Sequence, residues 1–308
     1  MRVLATTGDG TAAPVDAPIP VPGPRDVLVR VEAATINYVD RFVTSGAVHQ
    51  LGLITHDRPV GLGWDAVGRV ESVGPGVRGV SVGARVAGVR VADDTIDGAI
   101  AEFVMFPEAD VALVPDTLTS IEAASIGMNA LTAAQALTMF GVAGGRTLLV
   151  TGAAGGLGGL AIELAVAAGW TVTGLAREGD REFVESRKAR LVTDLDGTTY
   201  DAVFDTAPLQ FDDQVLKVAL LPSVASAGTF CSVLSLLPLP DVPHATVFAV
   251  EVKPDGPLLA SLLQRAAEGE LTARIAGTVP LERAGGTLLS AFSGGVRGRW
   301  IVQPTVSS

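Results

Sequence analysis

The chain has 308 residues, 48% of them hydrophobic and 18% charged. That is enough for one large domain or two with a full core, and it excludes wholesale disorder. A net charge of −11 argues against non-specific binding to nucleic acid or to anionic membranes, while leaving room for a local basic pocket.

Cys231 is the only cysteine, so no intrachain disulfide can form. The opening MRVLATTGDG lacks the long apolar core of a signal peptide, and no apolar run approaches the length of a membrane span. A soluble cytoplasmic protein is the expectation.

The first third of the chain has a β rhythm. Val27 to Val31 alternates strongly, Ala66 to Val73 loosely, and Val80 to Val91 is rich in valine and glycine. Pro14, Pro18, Pro20, Pro22, Pro24 and Gly74-Pro75-Gly76 punctuate these runs, which predicts short strands in a small barrel-like domain over residues 1–118.

Near Ser120 the rhythm changes. Ile121–Met139 reads as a helix. Strands are then expected at Thr147–Thr151, Thr171–Leu175, Ala202–Thr206, Thr229–Leu234 and Thr246–Val252. Helices are expected at Leu157–Ala168, Glu182–Lys188, Gln210–Leu221 and Leu258–Glu268. This alternation predicts a parallel, doubly wound α/β sheet over residues 119–270. From Leu271 to residue 308, short strands and one helix are expected to rejoin the first domain.

The most informative stretch is Thr147 to Gly159. A short apolar strand runs into a glycine-rich turn, and from Leu157 the apolar residues Leu160, Ala161, Leu164, Ala165 and Ala168 follow one helical face. Strand, glycine turn and helix form the phosphate-binding corner of a dinucleotide domain. Gly152, Ala153, Ala154, Gly155, Gly156, Leu157 and Gly158 are the candidate contacts. Ala153 stands where G-x-G-x-x-G has its first glycine, and Gly155 and Gly158 take the other two places. The alternative is a merely tight strand–helix turn.

NAD-specific sites commonly end the second strand with an acid for the ribose 2′-OH. Here that strand ends in Ala176-Arg177, which favours NADPH, with Arg177 facing the 2′-phosphate. The competing reading makes Arg177 an exposed arginine and Glu178 the ribose ligand.

Six segments resemble the medium-chain dehydrogenase/reductase superfamily and its zinc-free, quinone oxidoreductase-like branch. They are Ile36–Asp40, Gly61–Val70, Gly83–Val86, Gly152–Gly158, Tyr200–Asp205 and Arg297–Arg299. The resemblance implies a GroES-like β-barrel domain built from both ends of the chain, a Rossmann domain between, a nicotinamide in the cleft separating them, and a homodimer.

Zinc-dependent relatives take their catalytic ligands from positions that fall here at Asn37, Trp64 and Met128. Trp64 and Met128 are not normal zinc ligands and Asn37 is a poor one, so no metal is expected. His49, His56 and His244 show no ligand spacing.

The resemblance also places Asn37 and Tyr38 toward substrate and nicotinamide, with Tyr38 donating to a carbonyl oxygen as that oxygen gains charge. The alternative makes Asn37 and Asp40 helix caps and Tyr38 packing. Thr132 matches a threonine near the cofactor or is a helix-packing residue. Arg297 and Arg299 hold cofactor phosphate or lie at the surface. Trp64 fills the space a metal would leave or is plain core.

The resulting expectation is a zinc-independent, NADPH-dependent reductase of quinones or α,β-unsaturated carbonyls. The alternatives are an enoyl-thioester reductase in a biosynthetic pathway, or a non-redox regulator or cyclase on the same fold.

Overall fold

The computed structural model describes residues 1–91, 95–207, 209, 220–233, 239–292 and 295–304. β1 (Arg2–Thr6) and β2 (Ala12–Asp16) form an antiparallel hairpin. β3 (Asp26–Thr35) is the hub of a larger sheet. It pairs antiparallel with β4 (Asp65–Val73) and β6 (Phe103–Pro107), while β5 (Arg85–Val89) joins β4 to β7 (Val111–Leu113).

The alternation at the start of β3 has its cause in the packing. Val27, Val29 and Val31 enter a core with Val70, Val104 and Phe106, and Arg30 turns outward to Glu71. From Ala33 to Asn37 every residue is buried, so both faces of the strand end are covered. There the polar side chains of Thr35 and Asn37 must find internal partners.

Two short helices follow β3, α1 (Tyr38–Thr44) and α2 (Ala47–Gln50). The helix expected at Ile121–Met139 is α3 (Ser120–Phe140).

β8 (Thr147–Thr151) and α4 (Gly156–Ala167) open the second sheet. They are followed by β9 (Thr171–Leu175), α5 (Arg181–Glu185), β10 (Arg190–Val192), β11 (Tyr200–Asp205), β12 (Val224–Ser232) and β13 (Thr246–Ala249). All its pairings are parallel, in the spatial order β10-β9-β8-β11-β12-β13. This is the 3-2-1-4-5-6 order of a doubly wound dinucleotide sheet, with its direction reversing between β8 and β11. Leu149, Val203 and Phe230 fill its core.

The expected helix Glu182–Lys188 is shorter, ending at Glu185, and the turn that follows it includes Lys188 at a left-handed φ of 62°. The helix expected at Gln210–Leu221 falls almost entirely outside the described residues.

α6 (Gly256–Ala267), β14 (Ile275–Pro280), α7 (Leu281–Ser290) and β15 (Arg299–Gln303) complete the chain. β15 pairs antiparallel with β3 and parallel with β14. The tail therefore closes the first sheet.

The chain divides into two units. The first comprises Met1–Met128, Lys253–Gly269 and Ala273–Ser308, and the second Asn129–Val252 and Glu270–Thr272. The expected boundaries at residues 118 and 270 differ from this division in one respect that matters. α6, placed by its sequence position in the dinucleotide domain, belongs to the first unit. Its apolar stripe of Leu259, Leu262, Leu263 and Ala266 is buried, and it packs on β7. Gly256 sits so close to the Ala109 and Val111 carbonyls that a Cβ there would lie 2.4 and 2.6 Å from them.

Candidate functional site

In the second unit the glycine-rich turn expected to form a phosphate corner lies at the C-terminal end of β8, beside the reversal point of the sheet. Such points are where doubly wound folds bind ligands. Gly152 leaves the strand with φ 57°, a left-handed conformation that favours glycine. Gly155 is the N-cap of α4 in extended geometry, φ −82° and ψ 174°. The N–H groups of the first turn of α4 have no intrahelical acceptors and carry the positive end of the helix dipole.

The glycines divide the labour. A Cβ on Gly158 would lie 2.3 Å from the Gly152 carbonyl oxygen, so Gly158 lets the helix pack on the turn. A Cβ on Gly155 would meet only that same oxygen, at 3.1 Å, so Gly155 keeps the space in front of the helix open. Ala153 and Ala154 are buried, and the Ala153 N–H donates to the Leu175 carbonyl at 3.2 Å. Ala153 therefore closes the turn against β9. Gly156 and Leu157 lie in the open first turn.

Next to the corner, Thr151 Oγ1 donates to Asp205 at 2.5 Å and accepts from the Thr206 N–H at 3.0 Å. This ties the ends of β8 and β11 together, a pairing that the sequence motif Tyr200–Asp205 contained but did not explain.

At the end of β9, Ala176 is half-buried and Arg177 is exposed. Arg177 has no ion-pair or hydrogen-bond partner through its side chain among the described residues. Glu178 does. Both its carboxylate oxygens are taken by Arg181, at 2.6 and 2.7 Å. Arg181 also pairs with Glu185 at 2.6 Å. The bonds from Arg181 hold the Glu178 carboxyl below its ordinary pKa. The acid that competed for the ribose is thus committed to Arg181, and beside it stands a guanidinium without a side-chain partner among the described residues. Thr132 is buried in α3.

In the first unit, the end of β3 and the start of β4 and of β15 bring together Thr35, Asn37, Asp40, Asp65 and Arg299, all buried. Asn37 Oδ1 accepts from Arg299 Nη2 at 2.6 Å. Asn37 Nδ2 donates to Asp65 Oδ1 at 2.9 Å and to Thr35 Oγ1 at 3.1 Å. Thr35 Oγ1 donates in turn to Asp65 and accepts from Arg299 Nη2 at 2.5 Å. The other Asp65 oxygen accepts from the Met128 N–H at 3.2 Å, and a side chain on Gly127 would crowd it at 3.3 Å.

Asp40 accepts from the N–H groups of Asn37 at 2.7 Å and Gly63 at 2.8 Å. Burial, with the nearby Asp65 charge, pushes its pKa up to about 7 against the pull of those bonds and of Arg299. Tyr38, the first residue of α1, is half-buried with its ring edge-on to Phe292 at 5.3 Å between centroids. Burial raises its phenol above the usual value.

Arg299 corrects an expectation. With 8% of its surface exposed it is neither at the surface nor open to a phosphate, because Thr35, Asn37 and Asp65 surround it. Arg297 is half-buried in the segment that leads into β15. Asn37 is the N-cap of α1, but its amide faces the cluster. Asp40 supplies the capping bond to the Asn37 N–H.

Two of the three positions that the resemblance sets at zinc ligands meet at Asp65. Asn37 and Met128 bond to it, and Trp64 precedes it. Among the described residues no group of three or more histidines, cysteines or acids could hold a metal ion. Cys231 is fully buried in β12, where burial raises its thiol far above the ordinary value.

Residues 23–116 match the alcohol dehydrogenase GroES-like domain. The chain is 31% identical over 195 residues to the chloroplastic quinone-oxidoreductase homolog of Spinacia oleracea, which is 61% of this chain and 58% of the relative. It superposes on the quinone oxidoreductase from Coxiella burnetii with a TM-score of 0.85 at 25% identity, covering 98% of this chain and 99% of the other. These matches in sequence and fold indicate the medium-chain dehydrogenase/reductase superfamily and its quinone oxidoreductase-like branch as what the chain is similar to.

A mycobacterial member solved in complex with NADPH matches this one with a TM-score of 0.79 at 26% identity, over 99% of this chain and all of the other. Other matched relatives are named NAD-dependent alcohol dehydrogenases, so family membership alone does not choose the nicotinamide. The chain spans less than two thirds of the length of the curated relatives it matches first. No helix among its described residues is long and apolar enough to cross a membrane.

Proposed function

We propose that the chain is an oxidoreductase that binds NADPH and reduces a quinone or an α,β-unsaturated carbonyl without a metal. The observation that carries this reading is the phosphate corner at the reversal point of the sheet. There Gly155 keeps the N-terminus of α4 open, and Arg177, which has no side-chain partner among the described residues, stands beside a Glu178 already paired with Arg181. When bound, NADPH supplies a hydride from the nicotinamide C4.

The chain's own residues have the remaining tasks. The N–H groups of the first turn of α4 receive the pyrophosphate. Arg177 pairs with the 2′-phosphate, a planar cation matched to a dianion. Thr132 and Arg297 stand as further cofactor contacts.

The Tyr38 phenol is raised by burial above its ordinary value, which favours the neutral, hydrogen-bond-donating form. It would donate a hydrogen bond to the acceptor oxygen as negative charge develops there. A conjugated acceptor spreads that charge over several atoms, so one neutral donor serves where an isolated carbonyl would call for a Lewis acid.

The test is NADPH oxidation by the purified protein against a panel of quinones and enones, with NADH as the control. Turnover with NADPH and a conjugated acceptor is the expected result. Saturable NADPH binding with no consumption across the panel would overturn the redox reading and leave a cofactor-binding regulator.

A further inference from the structure

A guanidinium buried as Arg299 is loses most of its hydration, and burial pulls its pKa below the ordinary value while Asp65 and Asp40 pull it back. Buried ion pairs are seldom the best way to stabilise a core, since apolar residues of similar volume often do as well. The geometry here is not that of maximum pairing either. Arg299 does not grip Asp65 with a two-pronged fork. Its nearest approach to that carboxylate is 3.7 Å, and its Nε is buried without a hydrogen-bond partner. The one nitrogen that is well used, Nη2, points at Asn37 Oδ1 and Thr35 Oγ1.

The consequence is chemical. The Asn37 amide sits between a group that can only donate and a group that, ionised, can only accept. Its oxygen faces the guanidinium and its nitrogen faces the Asp65 carboxylate. Flipping the amide would set NH2 against the cation and the carbonyl against the anion, so charge on both sides forbids the second orientation. Asn37 is also the N-cap of α1, and its backbone N–H is held by Asp40. The next residue is Tyr38.

We propose that Arg299 is a positioning residue. With Asp65 it locks the Asn37 side chain in one orientation, and so fixes the direction in which α1 presents the Tyr38 phenol. The proposal rests on the reading of Tyr38 as the donor to the acceptor oxygen, and its test separates the two.

The variants are Arg299→Lys, Asn37→Ala and the pair combined, in the full chain. Arg299→Lys keeps the charge but shortens the reach to the two acceptors. The first readout needs no activity. It is the hydrogen-exchange rate of the Asn37 side-chain amide, followed by 15N NMR and assigned by its absence in Asn37→Ala. Arg299→Lys should speed that exchange by about tenfold or more, because an amide no longer held at Oδ1 by a charge-assisted bond can turn and release its Nδ2 hydrogens from Asp65 and Thr35. The backbone amide of Val29, in the same sheet, should keep its wild-type rate. Equal acceleration at both places would mean a purely structural arginine and would overturn the proposal.

The second readout is kcat. Each single variant should lower it about tenfold with NADPH affinity unchanged, and the double variant should fall no further. Additive losses would overturn the coupling. If the wild type turns over no acceptor, the redox reading falls and the amide exchange still decides the clamp. Should Arg299→Lys not fold, Asp65→Asn tests the same lock from the other side, since it removes the charge that bars the flipped amide.

Discussion

Gly155→Val separates binding from folding at the phosphate corner. At φ −82° a side chain is unstrained, and its Cβ would meet one atom, the Gly152 oxygen at 3.1 Å, which asks for a shift of a few tenths of an ångström. The two methyl groups of valine would then occupy the space over the first-turn N–H groups, where a phosphate oxygen must approach to about 2.9 Å. Removing one charge-assisted hydrogen bond costs roughly 1.5–3 kcal/mol, or about ten- to a hundredfold in affinity.

Gly158→Ala is the counterpart. Its Cβ would lie 2.3 Å from the Gly152 oxygen and 2.9 Å from the Ala153 Cα, both backbone atoms that cannot swing away. It should cost about 1–3 kcal/mol of stability, as overpacking does. Titration calorimetry with NADPH and thermal melts of both variants give the two axes. The expected pattern is a folded Gly155→Val with weak binding and a destabilised Gly158→Ala. A Gly155→Val protein that melts like wild type and binds NADPH as well would place the pyrophosphate elsewhere.

Three further outcomes are expected. Arg177→Ala should weaken NADPH binding by about tenfold or more and leave NADH nearly untouched, whereas equal losses in the two titrations would assign Arg177 to the fold. Elemental analysis of the purified protein should find no stoichiometric zinc and a chelator should leave activity intact; bound zinc together with chelator-sensitive turnover would contradict this. Asp40 has a folded pKa of about 7, above its ordinary 3.8, so the stability it contributes is complete below about pH 4 and is lost as the pH rises through 7. Denaturant melts of wild type and Asp40→Asn between about pH 4.5 and 8 should show the wild type losing ground at up to about 1.4 kcal/mol per pH unit, and a wild type that gains on the variant with rising pH would refute the assignment.

What the sequence revealed depended on how local the cause was. The strand at Thr147–Thr151 and the turn that follows were legible because glycine spacing, apolar strand and helical face all lie within one short segment. The boundaries of β9 were legible for the same reason. The place of α6 was not. Leu259, Leu262, Leu263 and Ala266 announce a buried face, but nothing in that stripe says which sheet it covers.

Arg299 was harder to place. Its partner Thr35 is 264 residues away in sequence, and only the pairing of β15 with β3 brings them together. A signal was present all the same. Arg299 shares its strand face with Ile301, which is fully buried, so a period-two pattern puts a cation inside and calls for a buried acid. For Asn37, the family pattern supplies a position and not an orientation, so it points the amide toward substrate where the fold turns it toward Arg299 and Asp65.

The pairing of β15 with β3 also imposes a schedule on the nascent chain. The second unit has all of its strands once Ala249 has emerged from the ribosome, and its last residues by Thr272. The first unit begins earlier and finishes later. The Ala34–Thr35 end of β3 waits through the synthesis of the inserted unit for β15, and Asp65 waits for its countercharge. An unpaired strand end is a template for pairing with other chains, so this interval exposes the chain to aggregation. Slowing translation after Thr272 would lengthen that interval without touching the dinucleotide unit.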